Sequence, residues 1–189
     1  MKKIISAILV VILLTLGLFI LTGCNKGYNK EVETYTIEKE KAKVSFEFAK
    51  DLGYEATQSQ SKIELYNAEN LSRLNIRVYY DYPASSNITK DEKSFYSDSY
   101  QDYKKETIGE YEGWSIYKRA ELLTNYEINL KLTKQNEDKK VYAIDINVEQ
   151  SPLEKGKSFN TDEFVNSEDF QHLLNSIKIE VPGTENEAE

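Results

Sequence analysis

The chain has 189 residues, with 24 Lys and Arg against 32 Asp and Glu, and a formal net charge of −8 at pH 7. Nucleic-acid phosphates repel so acidic a chain, which excludes nucleic acid as an expected partner. Its single cysteine and single histidine exclude an internal disulfide and a cysteine–histidine metal centre, and no motif predicts a cofactor or a metal.

The N-terminal segment has the pattern of a secretory signal. Lys2 and Lys3 precede an almost unbroken apolar run over residues 4–21. The run ends in Leu21-Thr22-Gly23-Cys24, which resembles the lipobox of bacterial lipoproteins. The resemblance implies that residues 1–23 form a signal peptide cleaved between Gly23 and Cys24, and that Cys24 carries the lipid.

This segment also has a second interpretation, an uncleaved transmembrane anchor. The apolar run reaches the lower limit of about 17–20 residues for crossing a bilayer. Lys26 is the only cation close behind Cys24, so the segment has only a weak cationic stop-transfer signal for a membrane anchor. We therefore favour the lipoprotein and expect a protein anchored to the cell membrane by lipid, facing outside the cytoplasm.

Residues 24–33 are predicted to be the lipidated cysteine and a polar tether. A flexible segment of about nine residues reaches roughly 15–18 Å. Residues 34–181 are predicted to form a single domain, followed by a disordered acidic tail over residues 182–189. The domain is therefore expected to lie close to the membrane.

The first part of the domain has the two-residue period of strands. Val44, Phe46 and Phe48 alternate with polar residues, and a second alternation runs over residues 73–80. Such patterns predict an antiparallel meander with one buried face.

A helix is predicted next, from near Lys90. Thr89 and Glu92 fit a capping box, Tyr96, Tyr100 and Tyr103 share one helical face, and Gly109 is placed to end the helix. Three strands are predicted over residues 114–120, 126–132 and 141–148, and a closing helix over residues 167–176.

These elements predict an α+β domain, with an antiparallel β-sheet on which two main helices pack. The element order and the closing phrase over residues 173–179 are similar to the PsbP-like α/β/α sandwich domains of some bacterial lipoproteins. The resemblance implies accessory or binding roles more than catalysis.

The candidate site residues are few. His172 lies beside the apolar stripe of the closing helix and is expected to be structural and partly exposed. No Gly-x-Ser-x-Gly elbow or acidic calcium loop occurs, so no catalytic residue is predicted. The 14 tyrosines are unusual, and exposed aromatic rings suit sugar, peptide or protein contacts. Tyr79, Tyr82 and Trp114 are therefore the candidate binding residues, although aromatic residues at these spacings also suit a core.

Three functions follow. The leading hypothesis is a non-enzymatic, lipid-anchored accessory or partner-binding protein. A close variant is an envelope module that binds a sugar or peptide. The rival is an envelope hydrolase, which would need two carboxyl groups about 5–10 Å apart in a cleft.

Overall fold

The computed structural model describes residues 28–83, 101–120, 123–133, 140–150 and 159–182. Within these residues the chain forms ten strands in two antiparallel sheets, together with two helices. The predicted α+β class is confirmed at this level.

The smaller sheet has the order β1-β2-β10, formed by Val32–Lys39, Ala42–Ala49 and Lys178–Glu180. The first two strands form a hairpin in which Lys39 pairs with Ala42. The last strand, β10, pairs with β2 and forms the second edge of this sheet.

The larger sheet has seven strands in the order β3-β4-β5-β9-β8-β7-β6. In chain order they are Glu55–Ser59, Lys62–Asn67, Ser72–Pro83, Gln101–Ile108, Tyr111–Ala120, Leu123–Lys131 and Lys140–Gln150. Every described pairing is antiparallel, and β9 lies at the centre between β5 and β8.

The prediction of one sheet is therefore wrong, and the turn after β2 gives the physical reason. Lys50–Leu52 forms a short 3₁₀ turn that ends at Gly53, where φ is +69°. The Asn67 side-chain amide donates to the Leu52 carbonyl at 2.8 Å and fixes the turn on the second sheet. Gly53 turns the chain from β2 in the smaller sheet to β3 in the larger sheet, because a residue at positive φ changes the direction of an extended backbone. Glycine adopts a positive φ without strain.

One continuous core joins the inner faces of the two sheets and the helices. Alternate residues of each strand point inward, as the period of two requires. The largest fully buried side chains are Phe46, Phe48, Phe170, Ile37, Ile63, Leu65, Leu74, Ile76, Ile128, Leu130, Ile144 and Ile146.

Two helices near the end of the chain pack on this core. Helix α1 is Thr161–Val165 and helix α2 is Glu168–Asn175. The Ser167 hydroxyl accepts a hydrogen bond from the Phe170 backbone N–H and caps α2. The predicted closing helix is confirmed, whereas α1 was not predicted. No helix in the described residues has both the length and the apolar character needed to cross a membrane.

The predicted end of the first helix is wrong. Tyr103 lies in strand β6, and Gly109 lies in the two-residue turn of the β6–β7 hairpin, where Ile108 pairs with Tyr111. Gly109 has φ +58°, the conformation that such tight hairpin turns demand. The rest of that predicted helix, with Tyr96 and Tyr100, lies outside the described residues.

Candidate functional site

On the face of the large sheet opposite the core, the three central strands β5, β9 and β8 carry six polar side chains in two adjacent rows, which we call the polar cluster. Strand β5 contributes Asn75 and Arg77, β9 contributes Asn147 and Asp145, and β8 contributes Glu127 and Asn129. Cross-strand neighbours on one face have Cβ atoms about 4.5–5.5 Å apart, so these side chains are in reach of each other.

The strand period explains why these residues meet. In β9, Ile144 and Ile146 are fully buried, so Asp145 between them must point to the opposite face. The register then sets Asp145 between Arg77 on one side and Asn129 on the other. Because β9 is the central strand, its outward side chains have neighbours on both sides.

Asp145 and Glu127 form a hydrogen-bonded carboxyl pair. Burial, and then the neighbouring Glu127 carboxyl, raise the pKa of Asp145 to about 8, although Arg77 opposes the shift. Burial also raises the pKa of Glu127, while its hydrogen bond from Asp145 acts in the opposite direction. Two like charges this close cannot both ionise at low cost, so at neutral pH Asp145 keeps its proton and donates a hydrogen bond to the Glu127 carboxylate.

Four buried acceptor oxygens in this cluster have no hydrogen-bond partner. They are Oδ1 of Asn75, Asn129, Asp145 and Asn147. Asn129 is only 1% exposed and Asn75 only 8%. A buried acceptor without a donor costs about 1–3 kcal/mol, so the cluster is a costly arrangement in the middle of a sheet.

Arg77 gives the polar cluster its exposed edge. Its guanidinium donates a hydrogen bond to the Tyr79 side chain, and this contact is the main reason that the pKa of Arg77 is raised. Arg77 is exposed and Tyr79 is half-buried. A cation, a phenol and several acceptor oxygens therefore lie together on this face.

Two of the three predicted aromatic binding residues, Tyr79 and Trp114, have described side chains, and these two do not form an exposed group. Trp114 pairs with Asn129 across β7 and β8 and is only 6% exposed, so its ring is not available on the surface. Tyr79 is half-buried on the same face of the sheet. The Tyr82 backbone pairs with Val141, and its side chain lies outside the described residues.

His172 is buried, at 8% exposed, where a partly exposed histidine was expected. Its Nε2 lies 2.9 Å from Glu47 Oε2, and its ring stacks on Tyr28. The Glu47 contact holds α2 against β2, and the stacking holds Tyr28 on α2. The structural role of His172 stays a prediction.

The carboxyl pair of Asp145 and Glu127 does not have the geometry that a glycoside hydrolase requires. Asp145 and Glu127 bond directly, which leaves no gap for a sugar or a water between them. Within the described residues, no group of three or more His, Cys, Asp and Glu could hold a metal ion.

No family model, curated protein or solved structure matches this chain. The described part of the molecule is an α+β protein. Its most unusual feature is the polar cluster on one face of the large sheet. Residues 21–24, the predicted lipobox, lie outside the described residues.

Proposed function

We propose that this chain is a lipid-anchored extracytoplasmic protein of non-enzymatic type, acting as an accessory or partner-binding subunit at the cell membrane. The observation that carries the proposal is Leu21-Thr22-Gly23-Cys24 at the end of the apolar run over residues 4–21. A thiol at this position accepts a diacylglyceryl group as a thioether, and the acidic domain needs such a lipid because anionic headgroups repel it.

We propose a PsbP-like α/β/α sandwich for the domain, on the predicted element order and the segment over residues 173–179. The antiparallel strands and the closing helix support this proposal. The direct hydrogen bond within the carboxyl pair favours a binding role over carboxylate catalysis, because neither carboxyl group is free to act on a substrate.

The test is the intact mass of the membrane-extracted protein and of Cys24→Ala. We expect the wild type to have the mass of residues 24–189 plus acyl groups and to fractionate with membranes. The Cys24→Ala variant should keep residues 1–23 and carry no acyl groups, because the acceptor thiol is gone.

Thr22→Ala is the matched control, since it changes the lipobox but leaves the thiol and the cleaved bond. It should be processed like the wild type. A wild-type protein that is neither cleaved nor acylated would contradict the proposal and support the transmembrane anchor.

A variant of this function is a binding module for an envelope sugar or peptide. The exposed Arg77 guanidinium beside Tyr79 favours it, because sugar hydroxyls and peptide carbonyls accept hydrogen bonds from a guanidinium. We expect soluble peptidoglycan fragments to give a calorimetric binding curve. Arg77→Ala should weaken it by about tenfold, the effect of losing one charged hydrogen bond.

Lys104→Ala is the control for Arg77→Ala, because Lys104 is an exposed cation on strand β6 that lies outside the polar cluster. If the fragments give no binding curve with wild-type protein, this variant of the function is wrong.

A further inference from the structure

The chain before β1 is held on the closing helix. We call residues 28–31 the N-terminal arm. The Tyr28 ring stacks on His172, with centroids 3.9 Å apart and planes 4° from parallel. The Tyr28 hydroxyl donates to Asp169 Oδ1 at 2.7 Å. Burial and the Asp169 carboxylate raise the pKa of Tyr28, so the phenol remains the donor.

Ion pairs and a backbone bond hold the rest of the arm. Lys30 Nζ lies 2.9 Å from Asp169 Oδ2 and 3.5 Å from Asp51. The Lys50 backbone N–H donates to the Glu31 carbonyl at 3.0 Å, and Lys50 Nζ lies 2.6 Å from Glu31 Oε1. The Asp169 side chain is only 13% exposed, so its bonds are sheltered from water.

These contacts shorten the free part of the predicted tether. Only Asn25, Lys26 and Gly27 separate Cys24 from Tyr28. Even a fully extended chain spans at most about 14 Å over the four steps between these two Cα atoms. A lipid on Cys24 would therefore keep the arm within that distance of the headgroups.

The strands define the opposite end of the domain. The arm leads into Val32, which pairs with Ala49, whereas the other end of the hairpin is the Lys39–Ala42 pair. Eight residues of β1 separate these ends by about 25 Å. Gln60, in the β3–β4 turn, lines a groove together with Lys39 at this far end.

We infer that the lipid anchor and the docked arm together fix the orientation of the domain on the bilayer. The end that carries the arm, Lys50 and the start of α2 faces the phospholipid headgroups. The end that carries Lys39 and Gln60 faces away. This orientation depends on the proposed lipid anchor at Cys24.

The single cysteine makes the orientation measurable. Because acylation occupies Cys24, a cysteine introduced elsewhere is the only free thiol. Full-length protein carrying Glu168→Cys or Gln60→Cys is labelled with a donor fluorophore. It is then reconstituted in vesicles of phosphatidylethanolamine and phosphatidylglycerol with an acceptor dye on the headgroups. Both positions are exposed, so labelling should not disturb the core.

We expect energy transfer from position 168 to be at least twice as efficient as transfer from position 60. Inserting ten Gly-Ser residues between Lys26 and Gly27 should remove this difference without touching the folded domain. The double change Tyr28→Ala with Lys30→Ala should also reduce it by releasing the arm. Tyr66→Ala with Lys62→Ala is the control, since it removes the same residue types from the large sheet and should preserve the difference.

Equal transfer from both positions in acylated wild-type protein would overturn the orientation and leave the lipid anchor standing. A mass that shows no acylation would instead overturn the proposed function. The mass is measured on the same samples, so the two failures are distinguished.

Discussion

Asp145→Asn is expected to flatten the pH dependence of stability and to stabilise the protein at alkaline pH. The amide keeps the shape of the carboxyl group and can still donate to Glu127, but it carries no titrating proton. At pH 9 we expect the free energy of unfolding to rise by about 2 kcal/mol, since the wild type then has two buried like charges. Urea denaturation at several pH values measures the effect.

The sign follows from the shared proton. The pKa of Asp145 is about 8 in the folded protein against 3.8 for an unperturbed aspartate, so between these values the folded state binds more protons than the unfolded state. The stability that this pair contributes should therefore be greatest below about pH 4 and fall as the pH rises towards 8. One extra proton gives about 1.4 kcal/mol per pH unit, and it is held from pH 5 up to the folded pKa of about 8, so we expect a total loss of about 4 kcal/mol from pH 5 to pH 9.

Glu112→Gln is the matched control for the carboxyl pair. Glu112 is an exposed carboxylate on strand β7, so its removal should leave the pH slope unchanged. Ion pairs with Lys50 and Lys62 lower the pKa of Glu31 and Glu64, which confines their titration to below this window. If the free energy of unfolding of Asp145→Asn depends on pH as steeply as that of the wild type, Asp145 and Glu127 do not share the proton that causes this dependence.

Gly113→Ala is expected to destabilise the fold by at least about 3 kcal/mol or to prevent folding. A Cβ on Gly113 would overlap the Asn129 carbonyl oxygen and lie 2.9 Å from the Leu130 Cα, both in the backbone of β8. Backbone atoms cannot rotate away, so β7 and β8 would have to separate. Thermal unfolding followed by circular dichroism measures the loss.

Gly109→Ala is the control for the glycine substitution. Gly109 has φ +58°, but an added Cβ would meet nothing within 4 Å. The cost should therefore be the backbone strain alone, about 1 kcal/mol. Equal losses from the two substitutions would show that the approach of β7 to β8 at Gly113 is not the limiting contact.

The strands were predictable because a two-residue period leaves little choice about which side chains are buried. Tyr126, Ile128 and Leu130 alternate with polar residues, and all three are buried. The closing helix was equally clear, since Phe170, Leu173 and Leu174 share one helical face and are buried together. Local pattern and burial agree in both elements.

The prediction of a helix over residues 101–108 was wrong because the local spacing of tyrosines is helical, whereas the segment pairs as a strand. Tyr96, Tyr100 and Tyr103 fit a helical spacing, which favoured a helix that continued to Gly109. The β6–β7 hairpin overrides that spacing, because Ile108 and Tyr111 pair across a two-residue turn and Lys105 pairs with Trp114. Pairing with a neighbouring strand is not visible in a local period.

By itself, the sequence determined the α+β class, the buried faces of the strands and the closing helix, because these depend on the spacing of apolar residues along the chain. Only the tertiary structure decided the division into two sheets, the meeting of Asp145 with Glu127 and the docking of Tyr28 on His172. The residues of each of these contacts come from different elements, up to 144 positions apart in the case of Tyr28 and His172. Strand order and register bring them together, and no local pattern encodes which strands become neighbours.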